Sequence, residues 1–318
     1  MSKKELIKAY LAWGAVCIFW GTTYLAIRIG VEVFPAAIFA GIRFLIAGVL
    51  FLVFLLIRGY KLPVGRELLD ITIVGIALLT IANGIVVWAE QWVPSGLAAL
   101  IVATLPFWMV GIEATLPRGD KLNFKKVLGI VTGFAGLVLL VYPDLRGSTE
   151  PGYLTGMAVI LIAPLSWGAG SIYSKYRTMK TKPLMAAALQ MVIAGVLLTL
   201  LGTMNGELAE YSYTFKGLAA LAYLVVFGSL IGYSSYIYAL DKLPASIVSM
   251  YAYINPLIAV ILGWLILDEK LDWSVATATI IIISGLLMVK VSRQPEVIKK
   301  PSLMQEVCVE NKKAVQNA

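Results

Sequence analysis

The pentapeptide Ile46-Ala47-Gly48-Val49-Leu50 returns, residue for residue, as Ile193-Ala194-Gly195-Val196-Leu197, and Trp20-Gly21 returns as Trp167-Gly168, both 147 residues further on. Working outward, Pro94 and Pro106 recur as Pro244 and Pro256, Asp120-Lys121-Leu122 as Glu269-Lys270-Leu271, and Gly136 as Gly285. Single matches are cheap in an apolar chain; six in order at a slowly drifting offset are not. The chain therefore reads as two related halves, 1–146 and 147–292, followed by a polar tail, 293–318, whose composition predicts disorder.

Between the charged residues lie stretches of the length that crosses a bilayer, roughly 17–25 residues. Residues 9–27, 71–89, 91–112, 127–143, 151–174, 183–206, 217–240, 243–267 and 273–289 carry no charge, and 33–57 is broken only by Arg43. That predicts an all-α integral membrane protein of ten transmembrane helices, five per half. Because five is odd, the second half enters the membrane inverted relative to the first. The first run follows Lys8, lacks a small-residue cleavage site and precedes nine more, so it reads as a retained helix and not as a signal peptide.

Composition agrees. Of 318 residues 60% are hydrophobic and only 14% charged, too few to wet a soluble surface. The net charge of +8 sits in short clusters between apolar runs, which fits membrane orientation and not nucleic-acid binding. Fifteen basic residues from Lys3 to Lys242 fall on one side, against Arg28, Arg146, Lys216 and Lys270 on the other, so both termini are expected in the cytoplasm. With no histidine, and with Cys17 and Cys308 as the only cysteines, no metal site or disulfide framework is expected.

Trp-Gly-Thr-Thr-Tyr at 20–24, Arg43-Phe44-Leu45, the paired Pro106 and Pro256, and Asp268-Glu269-Lys270-Leu271 resemble the EamA-like family of the drug/metabolite transporter superfamily, over about residues 1–292. The resemblance implies two inverted five-helix units around a central cavity, in a bacterial inner membrane, exporting amino acids, other metabolites or drugs. Asp120 stands where that family usually has glutamate, and Gln190 stands at the repeat position of Arg43. The related small multidrug-resistance proteins use a glutamate in their first helix; here no acid lies between residues 6 and 31, so exchange of that type is not supported.

Inverted repeats place substrate near the midplane where the halves meet. Trp20 and Trp167 are mid-span, so an interfacial aromatic belt does not explain them. With Tyr24, Asn83, Trp108, Tyr233, Tyr251 and Asn255, and with Tyr236 in the same spacing, they are the candidate substrate-binding residues. Packing stripes are the plain alternative. Arg43 lies about eight residues, roughly 12 Å, into its span and must face protein or water, since an arginine against lipid costs about 2.5–3.5 kcal/mol on insertion scales. It either holds an anionic substrate group or braces helices through carbonyls or Glu113; Gln190 at the equivalent position inclines the reading towards bracing. Glu113, and less so Glu90, are candidates for exchanging protons, or else interfacial residues reaching water. Pro106 and Pro256, read as lying within spans, free the carbonyls of Val102 and Ala252 beside a cavity or at a repaired kink. Gly129, Gly133 and Gly136 suit close helix packing.

These features predict a secondary transporter exporting small metabolites or drugs by alternating access, with the lipid bilayer and a small-molecule substrate as partners, no cofactor, and coupling to a proton or another ion left open. A passive facilitator of the same fold is the alternative. A channel lacks a filter-like loop or charge ring, an enzyme lacks a nucleophile with its base or metal, and an ATP-driven pump lacks the phosphate-binding loop.

Overall fold

The computed structural model describes residues 3–116, 122–147, 151–177, 180–209, 214–243, 245–248, 251–269 and 272–291. The polar tail, Asp120-Lys121, Pro244 and Lys270-Leu271 lie outside the described residues. Among those described, every regular element is helical. In chain order they are α1 (Lys3–Val31), α2 (Ala36–Ile57), α3 (Arg66–Ala89), α4 (Ser95–Thr115), α5 (Phe124–Gly147), α6 (Gly152–Tyr176), α7 (Pro183–Met204), α8 (Phe215–Lys242), α9 (Tyr251–Leu267) and α10 (Trp273–Val291). One helical turn, Ala245–Val248, precedes α9. Seven of the elements, α1 to α4 and α6 to α8, are long and apolar enough to cross a membrane; α9 and α10 contain shorter apolar stretches, Ile254–Leu267 and Trp273–Gly285. The predicted span 127–143 falls within α5.

The burial pattern matches a lipid-solvated molecule. Small residues and a few aromatics fill the interior, with Ala40, Phe39, Phe44, Leu79, Leu100 and Ala187 all buried. Large apolar side chains such as Ile57, Phe215 and Trp273 stand exposed, as a bilayer permits and water does not.

The repeated pentapeptides lie where α2 and α7 cross, the most extensive helix contact among the described residues. A Cβ on Gly48 would sit 2.6 Å from the backbone nitrogen of Val192, and one on Gly195 would sit 2.7 Å from Leu45 Cα. Each glycine lets its helix seat directly on the other's backbone. Around this crossing α1 packs on α8 and α9, while α6 packs on α3 and α4; α5 packs against α10, with Gly285 on the backbone of Gly129 and Gly133.

Four interruptions shape the centre, one of them the turn at Ile160-Leu161 within α6. In α4 the helix Ser95–Val102 gives way at Ala103-Thr104 before Leu105–Thr115 begins. Pro106 therefore stands in the first turn of a new segment, where its missing N–H costs nothing, and does not kink a continuous span as its sequence position suggests. Pro256 does lie inside α9. In α3 and α8 the middles are π-helical, Ile76–Asn83 and Leu224–Tyr233. The wider turn offers carbonyls to neighbours. Ser166 Oγ on α6 donates to the Ala77 carbonyl at 2.8 Å, and the Trp20 indole on α1 donates to that of Gly228 at 3.1 Å.

Candidate functional site

These interruptions surround an open cavity, about 660 Å³ of empty space when the part open to solvent is counted, to which α1, α2, α3, α4, α6, α8 and α9 all contribute. Trp20 and Tyr24 come from α1, Arg43 from α2, Asn83 from α3, Trp167 from α6, Tyr233 from α8, and Tyr251 and Asn255 from α9. Seven of the eight expected substrate-binding residues thus share one cavity with Arg43. The eighth does not: Trp108 donates to Thr104 Oγ1 at 3.3 Å and sets its ring edge-on to Phe134 of α5, 5.6 Å between centroids. Helical spacing alone does not reveal this, because the turn at Ala103-Thr104 resets the face that α4 presents.

Aromatic rings form one wall. Trp20 meets Trp167 edge-on at 5.4 Å and Tyr251 edge-on at 5.2 Å, and Tyr236 lies behind both indoles. The Tyr236 hydroxyl receives the Trp167 indole N–H at 3.1 Å and lies 3.1 Å from Ser171 Oγ, so this buried tyrosine braces the wall without lining it. Tyr233 donates to Gln190 Oε1 at 2.6 Å. With its amide oriented to satisfy both acceptors, Asn255 donates to the carbonyls of Cys17 and Tyr251 at 2.9 and 3.2 Å. Fixed hydroxyls and amides hold the rings in place; few of them are left over for a ligand.

Arg43 is the exception. It is buried to 3% exposure, its guanidinium packs 4.8 Å over its neighbour Phe44, and its Nε donates to Ser229 Oγ at 2.9 Å. The Nη1 group has no hydrogen-bond partner, and on α3 the Asn83 Oδ1 has none either. The absence of a side chain at Gly228 makes room for the guanidinium, since a Cβ there would lie 2.7 Å from Nη2. Ser229 and Gly228 escaped sequence reasoning. Their only signal is a small pair inside the apolar run of α8.

Glu113 is not Arg43's brace. It pairs with Lys175 of α6 at 2.8 Å. Nearby, Asp70 of α3 accepts from the Tyr173 hydroxyl and lies 3.7 Å from Arg177, so α6 is tied to α3 and α4 at one end of the cavity. At the other end Glu90, for which the sequence offered either proton exchange or an interfacial position reaching water, is wholly buried, and the Arg28 guanidinium donates to its backbone carbonyl. Glu269, after α9, accepts from Ser95 N and Oγ at 2.7 Å and from Gly96 N at 3.1 Å, capping the N-terminus of α4. Among the described residues no cluster of metal-binding side chains is present.

Comparison with known proteins places this architecture. The EamA-like transporter family profile matches twice, over residues 7–142 and 154–291. The chain belongs to the EamA-like transporter family. Among its relatives within that family, the inner membrane transporter YedA of Escherichia coli (strain K12), itself described as uncharacterized, is 39% identical over 86% of this chain and 88% of its own length. The transporter YoaV of Bacillus subtilis (strain 168), likewise described as uncharacterized, is 25% identical over 89% and 97%. Protein PagO of Salmonella typhimurium is 26% identical over 86% and 88%. One solved crystal structure, 20% identical, superposes with a TM-score of 0.64 over 89% of this chain and 97% of the other, a likeness of fold.

Proposed function

We propose that this EamA-like protein is a secondary transporter that exports small amphipathic metabolites, amino acids or related compounds among them, or drugs, by alternating access through the central cavity. One observation carries the reading: seven helices from both halves converge on a single aromatic-walled cavity that holds one buried cation with an unused N–H group. Such a cavity stacks the apolar part of a solute and meets its polar end at Arg43.

Two inverted five-helix halves, 1–146 and 147–292, supply the moving parts. The family profile matching once per half supports this, as do the π-helical segments at corresponding places in α3 and α8. The pairings support it too: α1 on α8 and α9 has its counterpart in α6 on α3 and α4. Alternating access is then a rocking of these two groups against the α2–α7 crossing.

The membrane is the bacterial inner membrane, a reading supported by the name of YedA, with both termini cytoplasmic on the basic-residue count. A reporter that fluoresces only in the cytoplasm should light up when fused after Ser292, and a periplasm-active reporter should work near Arg146 and Glu207. The reverse pattern overturns the orientation.

Trp20→Ala and Trp167→Ala test the cavity. Each removes a ring worth about 0.5–1.5 kcal/mol beyond its buried area, so half-saturation for an exported solute should rise about tenfold while membrane yield holds. Candidate amino acids, cations and sugars are screened for export from overexpressing cells, then measured in vesicles with ion gradients present and collapsed. Unaltered kinetics in both variants would make the rings packing residues. Flux that continues uphill without gradients is excluded for a secondary transporter, and purely downhill flux under both conditions would make the protein a facilitator.

A further inference from the structure

Glu90 stands at the turn between α3 and α4, where α3's outer end meets the aromatic pair Trp88 and Trp92. It is 0% exposed, and neither carboxyl oxygen has a hydrogen-bond partner. A carboxylate deprived of both water and donors is among the most costly groups a protein can bury, several kcal/mol even after relaxation, and it escapes that cost by holding a proton. Surface glutamates do not meet this condition.

The surroundings are those of a switch and not of a permanent ion pair. Among the described residues, the charged and titratable groups acting on Glu90 are Arg28 and Tyr24 from α1, Arg43 from α2 and Glu269 from the segment after α9. Glu269 is committed to capping α4, so it adds negative charge without a donor. Arg43 and Tyr24 line the cavity. Arg28 is the nearest cation in bonding terms, yet its Nη1 group donates to the Glu90 main-chain carbonyl while the carboxyl on the same residue goes unpaired. A charged carboxylate would outcompete that carbonyl for a guanidinium, because a hydrogen bond between ions is roughly twice as strong as one to a neutral group.

We propose that Glu90 is a proton-binding site at the outer end of the cavity, with Arg28 as its exchangeable counter-cation. In the conformation described here the carboxyl carries the proton and Arg28 holds the carbonyl. When the outer end of the cavity opens, the proton passes to water, and the carboxylate left behind takes Arg28 from the carbonyl. Loss of that bond frees the turn joining α3 to α4, so proton occupancy and the position of α4 are linked. The role in driving export rests on the transport reading above; proton binding itself does not.

The test therefore uses the proton as its probe and needs no substrate. Infrared spectra of the purified full-length protein, in ordinary and heavy water across a pH titration, should show a carboxylic-acid carbonyl band persisting at neutral pH and shifting on deuteration. Glu90→Gln should abolish that band, Glu113→Gln should keep it, and Arg28→Gln should keep it to higher pH than the parent protein, since the carboxylate then loses one of the two cations that favour it. Glu90→Asp, which restores a carboxyl, should bring back a band if the glutamine variant folds poorly. A parent protein with no acid band at neutral pH, or a band untouched by both substitutions at position 90, overturns the proposal whether or not any solute is transported. A titration midpoint unmoved in Arg28→Gln overturns the role given to Arg28.

Discussion

Gly195→Leu is expected to leave almost no folded protein in the membrane. The new side chain would have to enter where a Cβ alone is 2.7 Å from Leu45 Cα, and the obstacle is backbone, which cannot rotate aside. Overpacking in a well-filled interior typically costs about 1–3 kcal/mol. This substitution should exceed that range, because α2 and α7 must separate along their whole contact. Gly48→Leu should behave alike, since its Cβ meets Val192 N at 2.6 Å. Gly14→Ala is the control: nothing lies within 4 Å of its Cβ, and alanine is preferred over glycine in a helix by about 1 kcal/mol. Monodisperse yield in detergent and thermal unfolding separate the three. Well-folded Gly48→Leu and Gly195→Leu proteins would mean that close backbone approach is not what holds α2 against α7.

Arg43→Gln should do the opposite, keeping the fold while losing transport. One cross-helix bond, Arg43 Nε to Ser229, is removed, a loss of about 1 kcal/mol. The relief of taking a charge out of a low-dielectric interior is of similar or larger size, so unfolding should occur at the same temperature or higher. A hydrogen bond to a charged group contributes about 1.5–3 kcal/mol, so affinity for solutes bearing a carboxylate should fall roughly tenfold to a hundredfold. Arg43→Lys should retain part of it, holding the charge without the planar fork. Measured at matched folded fraction, a loss of stability in both variants ahead of any change in specificity would restore the bracing role that Gln190 at the equivalent position suggests.

The all-helical membrane fold was legible because the force that makes it acts on whole stretches of chain. An apolar run of bilayer length announces a helix whatever it packs against, and a pentapeptide that recurs intact announces that both copies meet the same constraint. Trp20, Trp167, Tyr233, Tyr251 and Asn255 fell into one cavity because helical spacing survives folding. Trp108 did not, for the turn at Ala103-Thr104 breaks that spacing, and Pro106, which looks like a kink in sequence, is a helix start. The π-helical segments were invisible, since one extra residue per turn leaves no compositional mark. For Glu90 the sequence left proton exchange and an interfacial position both open, because its burial depends on partners such as Arg28 of α1, far away in the chain.

The α2–α7 crossing has one more consequence. Contact between equivalent segments is what a self-complementary pair of identical subunits makes about a two-fold axis. A homodimer of the half-length unit, inserted in both orientations, would bury the same glycines, but any side chain beside the axis would appear twice or not at all. Joining the units into one polypeptide lifts that restriction. In the proposed inverted arrangement it lets this chain carry arginine at position 43 and neutral glutamine at 190, so the charge that Arg43 brings to the cavity has no copy at the equivalent position, where symmetry would have demanded two or none.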